Sequence, residues 1–399
     1  MKLIILLCLT VTSNFAFTQW NQQSSGINSQ LTDVEFINDL EGFAVGNSKI
    51  LKTINAGVDW TLSYDCDYLL ESVEFTVNKI IVVGYDIFNS QSIALISNDN
   101  GVTWIETVLS PAGFLYDVDF PTDLIGYTMG SQGILLKTVD GGNTWNVYGT
   151  GISSLIQDIY FHDSSHGFAV GGLSGGYIYE TLDGGATWIE IVISATSFLQ
   201  GIYFSSTNIG YAVGWDGDIF KTINGGLNWT QQTPVQVYGN MDVYFVDDNV
   251  GYIVGGGAFI AEIQKTEDGG NTWFSQSPLV NYGLIGVHFP STDIGYTVGD
   301  GGTILNTDNG GGVSLDELEA GSTQLEVYPN PCTDAFKIKI SDDKINNVTI
   351  SIISDDGKIV FEGAFNNGDE VPVTNLNSGV YLIKIISDDQ SFIKKLYKQ

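Results

Sequence analysis

The chain has 399 residues, with 46 acidic side chains set against 15 lysines and no arginine, for a formal net charge of −31. Such a field repels polyanions, and phosphate recognition depends on clustered Lys and Arg, so nucleic acid, anionic lipid and sulfated glycans are excluded as natural partners. Three cysteines are too few for a disulfide framework, and a 43% hydrophobic composition at this length suffices for one large core and one small one.

Residues 1–18 read as a signal peptide. Lys2 precedes the apolar run from Leu3 to Thr12, and Ala16 and Thr18 stand where small residues precede a cut that leaves Gln19 first. The run is shorter than the roughly 20 apolar residues of a membrane-spanning helix, and no later stretch is long enough, so no transmembrane segment is expected. Cys8 follows Leu7 where a lipoprotein signal would want a small residue, which argues against lipid attachment there.

Residues 19–312 are built on one repeating block, Thr138-Val139-Asp140-Gly141-Gly142-Asn143-Thr144-Trp145. Its relatives run from Thr53 to Trp60 with Asn55 in the Asp place, from Ser97 to Trp104 with Asp99, and from Thr181 to Trp188 with Asp183. Two more run from Thr222 to Trp229 with Asn224 and from Thr266 to Trp273 with Asp268. Successive tryptophans are 44, 41, 43, 41 and 44 residues apart. An alternating strand that ends in Phe (Phe36, Phe75, Phe120, Phe161, Phe204, Phe245, Phe289) and a Gly-aromatic-x-Val-Gly strand, eroded in the second repeat to Ile80-Ile81-Val82-Val83-Gly84, keep the same beat, giving seven copies. Each copy predicts four short strands, A to D, of one propeller blade; in the first they fall near 31–37, 42–46, 49–53 and 60–64. The repeated block is then the C-to-D hairpin, where Asp or Asn accepts backbone N–H groups and Gly supplies positive φ.

The seventh block, Thr307 to Ser314, has no tryptophan, whereas Trp20 to Gly26 resembles the start of a D strand. The N-terminal strand is therefore expected to complete the seventh blade and close the ring, leaving no open edge. The block resembles the Asp-box of bacterial neuraminidase repeats, and the whole blade is similar to the propellers of photosystem II assembly and stability factors. This resemblance covers about 290 residues and implies the fold; it leaves function open, because one fold hosts many sites.

After a linker at 313–324, residues 325–399 resume alternating strands, as expected of a small β-sandwich. Tyr328-Pro329-Asn330-Pro331, Asp356-Gly357-Lys358, the run Gly379-Val380-Tyr381 and the basic end with Lys394 and Lys395 follow in order. Together they resemble the type A C-terminal sorting domain of the type IX secretion system of Bacteroidetes. The resemblance implies export through the periplasm, recognition of residues 325–399 by the secretion machinery, and release or attachment at the outer-membrane surface. The expected fold is all-β throughout: a seven-bladed β-propeller closed by its N-terminal strand, plus a C-terminal β-sandwich.

Asp-boxes suggest a sialidase, but that chemistry clamps a carboxylate with arginines, which this chain lacks. A xyloglucanase-type glycosidase needs two carboxylates across a cleft, roughly 5–10 Å apart. The A strands carry Asp33, Glu35, Glu74, Asp117, Asp119, Asp158 and Asp242, with nothing to mark a catalytic pair. His162 and His166 in an A-to-B turn read as solvated, Asn98 to Gly101 coincides with an Asp-box and lacks the Glu of a calcium loop, and His288 is uninformative. No cofactor or metal is expected.

Aromatic residues in the D-to-A connections (Tyr68, Phe114, Phe198, Tyr238, Tyr282) share a face with the B-to-C turn that holds Trp215, the one tryptophan outside the repeated slot. They either pack between blades or bind a neutral glycan, or a basic or extended peptide. The expectation is a secreted or surface-bound, monomeric, non-enzymatic binding propeller. The alternatives are a glycoside hydrolase acting on neutral polysaccharide and a chaperone-like assembly factor. A photosystem role is rejected, since the tail belongs to non-photosynthetic bacteria and the Arg-rich patch expected of those factors cannot exist here.

Overall fold

The computed structural model describes residues 20–399 apart from 112, 174, 234–237, 258, 277, 279, 313–324, 341–346, 355–358, 367 and 387–390. The expected leader, the linker and the 356–358 hairpin lie outside the described residues. The chain divides into two compact units, Gln19–Asp316 and one holding Glu317–Gln399.

In the larger unit, five four-stranded antiparallel sheets each order their strands A to D; in one, Ile156–Phe161, Gly167–Gly172, Gly176–Thr181 and Ile189–Ile191 lie side by side. The first two repeats share a single six-stranded sheet, so seven repeats occupy six sheets. The separate strands expected there are merged: Gly42–Thr53 spans B and C, and Thr61–Thr76 runs from D of the first repeat into A of the second. Thr61–Thr76 contains no Gly or Pro to break it. Ser48 turns the backbone at φ 68 while Asn47 stays paired with Leu69.

The ring closes through Asn21–Gln23, which pairs with the C strand Thr303–Thr307 of the last repeat. Trp20 is 3% exposed and meets Phe289 edge-on at 5.8 Å. The tryptophan of an ordinary repeat meets its own strand-A Phe in the same way, as Phe120–Trp145 (5.9 Å) and Phe245–Trp273 (5.9 Å) show.

One aromatic unit recurs between neighbouring repeats. The strand-A Phe lies flat on the first Gly of its own B strand, where a Cβ on Gly210 would fall 2.5 Å from the Phe204 ring and one on Gly295 2.3 Å from Phe289. Its other face takes an aromatic from the preceding repeat: Tyr127 stacks on Phe161 at 3.7 Å, Tyr211 on Phe245 at 3.7 Å, and Tyr296 on Phe36 at 3.8 Å across the closure.

Polar staples reinforce this packing. In the Asp-box, Thr138 Oγ1 and the Thr144 N–H both donate to Asp140 Oδ1, and the Gly142 N–H donates to Thr138 Oγ1. A lysine from the preceding repeat then caps the loop: Lys52, Lys79, Lys137, Lys221 and Lys265 donate to the carbonyls of Asn100, Gly141, Gly184, Gly269 and Gly312. The sixth lysine of the unit, Lys49, pairs with Asp65. Every cation of the propeller except its histidines is thus held in a fold contact.

The tryptophan N–H groups follow a rule of register. The residue three places after one tryptophan accepts the N–H of the next: Gln276 for Trp20, Gln23 for Trp60 and Ser63 for Trp104. The equivalent residues for Trp145, Trp188, Trp229 and Trp273 are Thr107, Tyr148, Ile191 and Gln232, and these four N–H groups are buried with no partner among the described residues.

The smaller unit is a sandwich of two sheets, one of Leu325–Tyr328, Ala335–Ile340 and Glu370–Pro372, the other ordering Ile359–Asn366, Asn347–Ile353, Gly379–Ile386 and Ser391–Lys398. Phe336, Ile350, Ile383 and Leu396 fill its core with the free thiol of Cys332. The Asn330 side chain accepts the Tyr397 N–H, tying the entry motif to the basic end, and the Tyr381 hydroxyl donates to the Asn377 carbonyl.

Two outcomes test this account. Trp20→Ala should cost about 3–5 kcal/mol in urea unfolding of the mature chain, the range for an emptied aromatic site. Ile191→Gln should raise the unfolding midpoint by supplying the missing acceptor for Trp229, a gain of about 1 kcal/mol.

Candidate functional site

Two regions concentrate unusual side chains: the rim formed by B-to-C turns and D-to-A connections, and the central channel beneath it.

On the rim, Trp215 opens a tight turn, Trp215–Gly217, in which Asp216 takes φ 60. The Trp215 N–H donates to the Phe198 carbonyl, and the two rings lie 5.6 Å apart. Gly239 packs against the indole, so Tyr238 emerges beside it. Trp215, Tyr238 and Tyr282 are 41%, 38% and 47% exposed, and Tyr282 covers Gly301 of the next repeat's turn. The other two expected residues are engaged in packing. Tyr68 donates its hydroxyl to Glu106 Oε2 at 2.7 Å, which holds its own ionisation well above the usual range, and Phe114 stacks on Tyr85 at 4.0 Å. Phe259 and Phe88, 80% and 76% exposed at the tips of their repeats' B-to-C hairpins, are further exposed rings that the repeat pattern does not mark.

The channel is lined by the A strands. Residues three before each strand-A Phe form one layer, and residues immediately before it form the next. The first layer contains Asp33, Asp117, Asp158 and Asp242, each reaching to the neighbouring inner strand, where the N–H groups of Val73, Ile159, Ile202 and Val287 donate to them. Gly201 and Gly286 occupy the same layer, and a Cβ on either would meet the backbone of the following Asp242 or Asp33 at 3.1 Å. The candidate acids thus converge on one channel, and these four serve as blade-to-blade staples.

Burial dominates their electrostatics. It pushes Asp33 up to about 6, with Asp117 adding to the rise, and pushes Asp242 and Asp119 up to about 8. Glu71 at the channel mouth rises to about 7, and Glu35, Glu74 and Asp158 are also raised, each first by burial and then by neighbouring carboxylates. His162 corrects the expectation of a solvated turn: its ring packs 4.6 Å from Phe204, and burial lowers it to about 4. His166 Nε2 lies 3.0 Å from Glu180 Oε1.

Residues 326–399 match the family model of the secretion system C-terminal sorting domain, and residues 12–113 match that of the photosynthesis system II assembly factor YCF48. A curated endo-acting ulvan lyase of Formosa agariphila is 34% identical over 88 residues, which is 21% of this chain and 16% of the lyase. Among solved structures, YCF48 bound to D1 peptide aligns at 21% identity and TM-score 0.62 over 74% of this chain and 99% of its own. YCF48 from Cyanidioschyzon merolae aligns at 20% and 0.61 over 72% and 98%. The GH74 enzyme of Niastella koreensis aligns at 14% and 0.62 over 94% of this chain and 60% of its own. At these identities the structural likeness establishes the fold alone. The chain joins a propeller of this kind to a type IX sorting domain, which implies export to the cell surface or beyond.

The raised carboxyls give stability a definite slope with pH. The unfolded chain releases these protons near pH 4, whereas Glu71, Asp119 and Asp242 keep theirs to about 7 or 8, so the folded state binds more protons in between and loses stability as pH rises. His162 and His288, both lowered to about 4, act in the opposite sense only below about pH 6.5. The unfolding free energy should therefore fall by about 1 kcal/mol or more between pH 6.5 and 8; a flat or rising profile would contradict burial as the dominant influence on these acids.

Proposed function

We propose that the mature protein is a non-enzymatic binding propeller, released from the cell or held at its outer-membrane surface by way of the periplasm, that takes a neutral glycan on the rim around Trp215. The observation that carries this reading is Trp215 itself. It stands outside the repeated tryptophan slot, presents an open indole edge, and has Tyr238, Phe198 and Tyr282 on the same rim. Exposed rings on tight turns give stacking area at little entropic cost, and the polar edges of Tyr and Trp suit hydroxyl-rich ligands. Asp216 and Asp300 supply acceptors beside them, and all six lysines of the propeller are engaged, five with loop carbonyls and Lys49 with Asp65, which disfavours a sulfated chain.

Against catalysis, the best-placed carboxylates already hold backbone N–H groups of the adjacent strand, so the fold explains their presence. A glycan-cleaving enzyme is the second reading, favoured by the channel's raised carboxyls and by neighbours that include a GH74 enzyme and an ulvan lyase. An assembly role like that named for YCF48 would place a protein on the same rim.

The mature chain should be retained on a neutral polysaccharide from a panel of neutral glycans and mucins without forming new reducing ends, and Trp215→Ala should weaken retention at least tenfold. New reducing ends would establish the enzyme instead, and silence across the panel would overturn the glycan in favour of a protein partner.

A further inference from the structure

The inner chamber of the channel lies at the end away from the rim, has a volume of about 310 Å³, and is lined by the residue preceding each strand-A Phe. In repeat order these are Glu35, Glu74, Asp119, Tyr160, Tyr203, Tyr244 and His288. The order matters: three consecutive carboxyls form one wall and three consecutive tyrosines the other. Tyr203 ionises less readily first because it is buried, then because of Tyr244 and in smaller part Glu35, which places the two walls within each other's field. Tyr160 and Tyr244 are fixed by donating to the Phe204 and Phe289 carbonyls, Tyr203 packs between their rings, and all three line the cavity. No lysine lines it.

Unlike the layer above, this one is only partly consumed by staples to the next strand: Asp119 Oδ2 accepts the Phe161 N–H, but among the described residues Glu74 Oε1 takes only its neighbouring Phe75 N–H, and Glu35 has only His288 Nε2, at 3.6 Å. His288 does not balance the acids, because burial holds it neutral at physiological pH. Its side chain is 12% exposed, and its Nδ1 is fully buried with no partner among the described residues, a polar atom left over in the same wall. Among the described residues no three acidic, His or Cys side chains are set to chelate a metal ion. A chamber with carboxylates on one side and aromatic faces on the other matches an organic cation, whose N–H donors meet the acids while its charge and methylenes lie over the rings.

We propose that the inner chamber binds an alkylammonium group, either from a free polyamine or from a lysine side chain inserted by a partner protein. The cation replaces protons held by the buried carboxyls of the chamber, so binding releases protons to solvent.

The test is calorimetric titration of the mature chain at pH 7.5 with cadaverine, spermidine and a lysine-bearing peptide, each in two buffers of different ionisation enthalpy. Saturable one-to-one binding with proton release is expected, weakened at least tenfold in Glu74→Gln and in Tyr203→Leu. Preference for the free amines would identify a polyamine, and preference for the peptide a protein partner. Glu74→Gln removes an uncompensated buried acid, so its unfolding midpoint should not fall, and loss of binding in that variant cannot be ascribed to misfolding. Absence of saturable binding, unchanged affinity in Glu74→Gln, or equal competition by magnesium ions would overturn the proposal.

Discussion

The larger unit rests on a phenylalanine ring held between a glycine and an aromatic ring of the preceding repeat. In the six repeats that have it the glycine is obligatory because any Cβ would sit inside the ring, and the stacked tyrosine or phenylalanine ties a repeat to the one before it; the second repeat has Ile80 and Ile81 in the two places. With the tryptophan closing the edge, three aromatic-rich motifs far apart in each repeat become one packing unit. Repetition of this unit sets the spacing of the strands, and that spacing carries the A strands toward a common axis where their polar faces meet.

The polar chemistry divides by depth. At the outer turns, box carboxylates are satisfied within their own loops, and lysines cap the loop carbonyls. Near the axis the carboxyls of the upper layer, with Asp119 below them, hold the neighbouring strand, while Glu35 and Glu74 of the lower layer line the chamber opposite the tyrosines. Opposite charge is spent at the periphery and withheld from the centre. The unit is therefore acidic where a ligand could enter and neutralised where the fold needs cohesion.

Much of this was legible from the sequence, because Gly, Asp and Trp at fixed spacing demand particular turns and particular packing. The ring closure was legible through the misplaced Trp20 and the missing tryptophan of the last block. Other features were not. The acids of the A strands announced a polar face, but their convergence depends on circular closure, which no local pattern encodes. The register rule for tryptophan N–H groups escaped notice because Gln23, Ser63 and Gln276 share a position and not a residue type. Tyr68 resembles its counterparts in sequence, but the merged strand Thr61–Thr76 brings its hydroxyl to Glu106, and Phe88 and Phe259 lie in hairpin tips whose length and sequence differ between repeats.

Closure by the N-terminal strand also bears on the order in which the chain can fold. The Trp20–Gln276 hydrogen bond joins residues 256 apart, and Asn21 pairs with Asn306, so the first strand has no sheet to join until the last repeat exists. Contacts of such sequence separation form late and slowly, since the loop entropy must be met before the contact stabilises anything. A chain emerging from the ribosome can build its middle repeats while its ends stay unpaired. That delay suits a polypeptide that must cross a membrane before it becomes a closed ring.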